Sequence, residues 1–181
     1  MPSRHSSHSI TLRPDYCTLQ LRDIDCDAGV GAHEALDEAR RNVAASSGYG
    51  IYINARQDSV AVRVDVEVWD STPDPVDADG WTGPLAFDLD CPTGQLQVGD
   101  NMGNTIAGID PPQGPGRCTV TVYHQGRDQA ADAERTILHV MGSQGAGVEQ
   151  IEALQARYAG AERYLLQLWW RSDLPPDDDD D

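Results

Sequence analysis

Residues 60–69, VAVRVDVEVW, alternate without a break. Valine holds every second position from 60 to 68, while Ala61, Arg63, Asp65, Glu67 and Trp69 fill the places between. Successive side chains of a strand point to opposite faces, so this period of two puts five β-branched residues on one face and three charges on the other. A strand of an antiparallel sheet with one face packed and one face wet has this pattern. A helix would scatter the valines around its circumference.

The rest of the chain supplies strands that can pack on this one. A polar, Ser/His-rich stretch at residues 1–8 is expected to be a frayed tail, followed by a short strand at 9–13. Residues 16–22 form a better strand, with Cys17, Leu19 and Leu21 on one face. The run DIDCDAGVG breaks the alternation, and residues 33–47 then read as a helix with Leu36, Ala39 and Val43 on a shared face and Gly48 placed to cap it. Alternation resumes at 49–56 and turns through Gln57, Asp58 and Ser59 into the valine strand. Beyond Trp69 the segment STPDPVDADGWTGP is a loop. Further strands are expected around Leu85, Phe87 and Leu89, then Leu96 and Val98, then Ile106 and Ile109, and at 117–126, where Cys118, Val120, Val122 and His124 share a face.

From residue 127 the composition shifts to Ala, Glu and Gln at helical spacing, with segments 128–140 and 148–159 joined by GSQGAG. This predicts a helical hairpin at 127–160, inserted before a last strand at 164–170. The expected fold is mainly β: one antiparallel β-sandwich domain at 9–172 with one early helix and a helical hairpin before the last strand. An acidic disordered tail at 173–181 follows.

Charge changes the picture more than composition does. The formal net charge is −17, lysine is absent, and all thirteen basic residues are arginine. Such acidity argues against nucleic acid or an anionic membrane as direct partner and suits a basic protein. A GC-rich genome or a salt-loving proteome writes a similar composition. The charge is also unevenly spread: no basic residue occurs between Arg63 and Arg117, a span that holds ten acids. Asp65 and Glu67 lie on the wet face of the valine strand, and Asp70, Asp74, Asp77 and Asp79 lie in the loop beyond it. Concentrated like charge is either a solvated face or a surface that meets a basic partner and imitates DNA phosphates. These six residues are the candidate partner-binding surface.

Other chemistry is weaker. Asp23, Asp25, Asp27 and Glu34 stand at positions 1, 3, 5 and 12 of a twelve-residue calcium loop, but Ala28 takes the place of the turn glycine and a strand enters where a helix should. An Asp or His capping the helix near His33 explains the same residues. Asp77, Asp79 and Gly80 are a fragment of that motif, ended by Trp81. The four cysteines form no CxxC and have no metal spacing, the five histidines give no ligand pair, and GxSxG, GxGxxG and the phosphate-binding loop are absent. Trp69, Trp81, Trp169 and Trp170 either line a ligand groove or fill the sandwich core. No cofactor or metal is expected. With no apolar leader and no apolar run of membrane length, the expectation is a cytoplasmic protein with free thiols.

Several segments in this order resemble the competence protein J family: YCTLQLRD, EALDEARRNVAASSGYGIYINA, VAVRVDVEVW with its loop, LAFDLDCPTGQLQV and RCTVTVYHQG, which together span residues 16–126. The chain also resembles proteins of GC-rich bacteria that end in YLLQLW. A characterised member of the family is a nuclease inhibitor, so the resemblance implies a binding protein that neutralises a nuclease or toxin; the hairpin and the acidic tail depart from it. The resulting expectation is a non-enzymatic inhibitor or immunity-type protein. A small-ligand or calcium-binding β-sandwich module is the alternative, and a hydrolase with a spatially assembled site is the third class.

Overall fold

The valine strand, β5 (Val62–Trp69), lies between β1 (Arg4–Leu12), antiparallel to it, and β10 (Arg163–Ser172), parallel to it. β10 in turn pairs antiparallel with β9 (Gly116–Gln125), and β9 with β6 (Thr82–Cys91). The computed structural model describes residues 1–27, 29–143, 145 and 147–175, so most of the acidic tail lies outside the described residues. A second sheet runs β3 (Ala44–Ser46), β4 (Gly50–Asn54), β2 (Thr18–Asp23), β7 (Leu96–Gly99) and β8 (Thr105–Ile109). The two sheets face each other as a sandwich.

The core lies between them. Val62, Val64, Val66 and Val68 of β5 meet Leu19, Leu21, Ile51 and Ile53 of the second sheet in one cluster, each of them 0 % exposed. Burying a side chain of this size is worth about 1.5–3 kcal/mol, so this face of β5 fixes the register of the whole sheet. Val60 falls outside the strand and packs against α2 (Arg127–Gly142) beside Ala133 and Ile137. α3 (Val148–Tyr158) completes the hairpin and leans on that cluster through Ile151, Leu154 and Tyr158.

Three further expectations change. Tyr16 and Cys17 are not strand residues: both have positive φ and form the turn ahead of β2, which begins at Thr18. Residues 4–8 are not a frayed tail but the first half of β1, paired with β5 up to Trp69. Ser6 and His8 take inward-facing places at the sandwich margin and bond to each other at 3.1 Å, so backbone pairing forms the strand where hydrophobicity does not signal it. The early helix, α1 (Ala32–Asn42), ends sooner than expected. Val43 breaks it at a φ of 76°, and the next three residues become β3, because a short apolar run fits strand or helix equally well by periodicity. Gly48 therefore caps no helix; it belongs to the turn between β3 and β4. Small residues let α1 lie close to the second sheet, with Ala35 and Ala39 against Ala45 and Tyr52.

Candidate binding surface

The six candidate acids share neither an environment nor a role. Asp65 and Glu67 face outward from β5, as their alternation requires, but both are neutralised. Asp65 accepts from Arg63 at 3.0 Å and from Arg163 of β10 at 3.4 Å. Burial would raise its carboxyl, yet Arg63, Ser9 and Arg163 together outweigh that and hold it below the ordinary carboxylate range. Glu67 pairs with Arg4 of β1 at 2.5 Å and also accepts from Trp69 Nε1 and Gln167 Nε2, each at 3.1 Å. The register of β1, β5 and β10 makes these contacts: Gln167 stands directly opposite Glu67, while Arg4, opposite Trp69, and Arg163, opposite Arg63, reach their carboxylates along the diagonal.

The other four acids belong to the loop that leaves β5 at Trp69 and returns to β6 at Thr82. It crosses the outer face of the first sheet and is held at several points. Asp70 accepts from the Ser3 backbone N–H and the Ser71 hydroxyl at 2.9 and 2.8 Å, which lowers its pKa. Pro73 is buried, the Val76 N–H donates to the Tyr123 hydroxyl at 3.4 Å, and Arg163 stacks on Trp81 with its guanidinium carbon 5.6 Å from the ring centre. Beneath the loop Thr121, Tyr123 and Gln167 are buried although they face away from the inter-sheet core. Asp74, Asp77 and Asp79 remain exposed, and none has an ion-pair or hydrogen-bond partner among the described residues. The geometry therefore gathers three free carboxylates on an anchored loop and removes Asp65 and Glu67 from the free surface. The anchors Pro73, Val76 and Trp81 went unread in the sequence; apolar residues spaced through a polar loop were their signal.

Asp23 of the calcium-like run is wholly buried and already committed. Its two oxygens accept from the Asp25, Thr93 and Gly94 backbone N–H groups and the Thr93 hydroxyl at 2.7–3.0 Å, tying β2 to the turn before β7. Ala28, the residue in the glycine position, lies outside the described residues. Among the described residues no three His, Cys, Asp or Glu side chains converge in a metal-binding group.

The tryptophans line no common groove. Trp69 and Trp169 stand side by side on the outer face, Trp81 sits over Arg163 six residues down β10, and Trp170 packs against the inter-sheet core. At about 3.3 Å per residue the two outer groups lie roughly 20 Å apart. His124 is half-buried; burial and then the Arg127 charge lower its pKa. Burial pushes the Cys17 thiol up to about 11, and the Cys91 thiol, hydrogen-bonded to the Cys118 thiol and buried in the core, is raised further. Shifts in this direction keep a thiol protonated and a poor nucleophile.

One buried charged group had no sequence signal. Glu162, 1 % exposed, accepts from the Arg56 N–H at 2.7 Å, Gln57 Nε2 at 3.3 Å and the Tyr164 hydroxyl at 2.5 Å. Arg127, the first residue of α2, donates to Tyr164, the Asn54 carbonyl and Glu162 at 2.6, 2.7 and 3.4 Å. This network pins the start of the hairpin to both sheets.

Two five-stranded sheets, one early helix and a hairpin before the last strand define a β-sandwich fold that known structures share. ComJ from Bacillus subtilis, an inhibitor of the DNA-degrading activity of NucA, is similar over 94 % of this chain and 99 % of its own, with TM-score 0.55 and 11 % identity. The product of crocagin biosynthetic gene J covers the same shares at 16 % identity and TM-score 0.48. The chain thus has a ComJ-like fold. No protein-family model matches it, and no curated protein matches it in sequence. Among the described residues no helix is long and apolar enough to cross a membrane.

Proposed function

We propose that the chain is a non-enzymatic inhibitor that neutralises a basic partner, a nuclease or a toxin, by occupying its nucleic-acid-binding face. The observation that carries this is the anchored loop with Asp74, Asp77 and Asp79 free. Backbone and aromatic contacts hold the loop in place, so its carboxylates need little ordering on binding, and an ordered row of anions imitates phosphates. The fold shared with ComJ supports an inhibitor's role, and the net charge of −17 supports a basic protein over nucleic acid or membrane as partner. Four free cysteines support a cytoplasmic setting.

The test is a reconstituted inhibition assay. Proteins retained on the immobilised full chain from its native host are purified and assayed singly for DNA degradation. A retained basic protein should degrade plasmid DNA alone and stop doing so with one equivalent of the chain. Retained proteins whose activities the chain leaves untouched would overturn the proposal.

A further inference from the structure

A second surface lies where β1 passes into β2, away from the aspartate loop. Tyr16 and Cys17 occupy consecutive positions of a tight turn closed by the Thr18 N–H on the Asp15 carbonyl at 2.9 Å. Both have positive φ, 46° and 59°, the combination a type I′ turn requires and one that Asn and Gly usually supply. The left-handed region is costly for a side chain that cannot bond locally in it, and tyrosine is such a residue. Nothing inside the protein compensates at Tyr16, because its ring is 86 % exposed. The neighbours enforce the geometry instead: the Thr18 hydroxyl donates to the Tyr16 carbonyl at 3.2 Å, and the Ala55 N–H donates to the Cys17 carbonyl at 2.7 Å. The turn displays an aromatic ring at the expense of the fold.

That ring has company. Met102, 72 % exposed, lines the same open cleft of about 410 Å³ from the loop between β7 and β8. Asp100 holds this loop by accepting from the Met102 and Asn104 N–H groups, each at 2.9 Å. Asp15 and Asp58 also line the cleft, and neither carboxylate has a partner among the described residues. The one cation there, Arg13, gives its Nε to the Asp58 carbonyl and pairs with no carboxylate. Two apolar knobs therefore flank free anionic groups. An arginine fits such a place: its guanidinium stacks on an aromatic face while it bonds carboxylates, and its stem lies along a thioether.

We propose that the Tyr16–Met102 cleft is a docking site for an arginine side chain of a basic protein partner. It rests on the reading of the chain as a binder of basic proteins but needs no nuclease for its test. The isotope-labelled full chain is titrated, by two-dimensional amide NMR, with a short peptide carrying two arginines and with its lysine counterpart. The arginine peptide should shift the amides of residues 15–18, Asp58 and Met102, and bind more tightly than the lysine peptide. Tyr16→Asn, which tolerates the left-handed turn, should weaken binding about tenfold or more while its melting temperature stays at or above the parent's. Met102→Ala should weaken binding as well. Shifts confined to residues 74–79, equal affinity in Tyr16→Asn, or a lower melting temperature in that variant would each overturn the proposal. If the inhibition assay fails while the peptide still binds at Tyr16, only the nuclease reading falls.

Discussion

Glu162 and Asp77 carry the same kind of charge and do opposite things with it. Glu162 is enclosed, touched by donors from β10, from the loop after β4 and from the start of α2, and holds elements together. Asp77 stands exposed on an outer loop with no partner among the described residues. Asp23, Asp65 and Glu67 side with Glu162, because each is saturated by backbone N–H groups or arginines. Asp74 and Asp79 side with Asp77. A count of acids treats these groups alike, although a carboxylate surrounded by donors contributes little outward field and a lone exposed one contributes much. Of the six candidate acids, the exposed carboxylates without a partner among the described residues are therefore the three on the loop.

If the enclosed carboxylates depend on donors built around them, one placed where none waits should be intolerable. Val64→Asp does this at a fully buried position of β5. Its burial cost and lost packing should consume most of a typical stability of about 5–15 kcal/mol, lowering the melting temperature steeply in circular dichroism. An unchanged melting curve would show that the valine face is not core.

Glu162→Ala should cost about 3–5 kcal/mol in urea unfolding, since Arg127 would remain largely buried without its carboxylate. Tyr164 sharpens this by pH. Burial first, and then the Glu162 charge, raise its pKa well above the ordinary value. A group whose folded pKa is raised contributes stability below its unfolded pKa, about 10, and loses it as pH rises further. Stability should therefore fall above about pH 10, and this alkaline loss should be smaller in Tyr164→Phe.

Asp65→Asn should cost less, under about 1 kcal/mol, because both of its arginine partners are partly exposed. Its folded pKa is lowered, so its contribution is present above the unfolded value of about 4 and disappears as pH falls below it. Urea midpoints of parent and variant should converge in that acid range; a gap that persists there would remove Asp65 from the enclosed group.

The sequence made the sandwich legible because its main strands alternate: β5, β9 and the inward positions of β2 can be read directly. It hid the first half of β1, whose inward residues are Ser6 and His8, and β3, which is three residues long and adjoins a helix. The parallel pairing of β10 with β5 was equally hidden, since strand order depends on contacts between residues about 100 positions apart. The candidate site was half legible for the same reason. Acids are visible one by one, and Arg63 stands two residues from Asp65 on the same strand, but the other arginines come from β1 and β10, and only the assembled register brings Arg4 and Arg163 beside Glu67 and Asp65. Alternation assigned Tyr16 to a strand, whereas it stands in a left-handed turn ahead of β2, which begins at Thr18.

The central claim is that the free loop aspartates, and not the paired strand acids, attract the partner. Stopped-flow association with the nuclease retained by the parent chain tests it, comparing Asp74→Asn/Asp77→Asn/Asp79→Asn with Asp65→Asn/Glu67→Gln. At low ionic strength the loop variant should associate about tenfold more slowly than the parent, with dissociation nearly unchanged. The strand variant should stay within about twofold, and the loop effect should shrink as salt passes ~0.15 M, where screening reaches ~8 Å. Equal association rates for the loop variant and the parent at low salt would contradict the account.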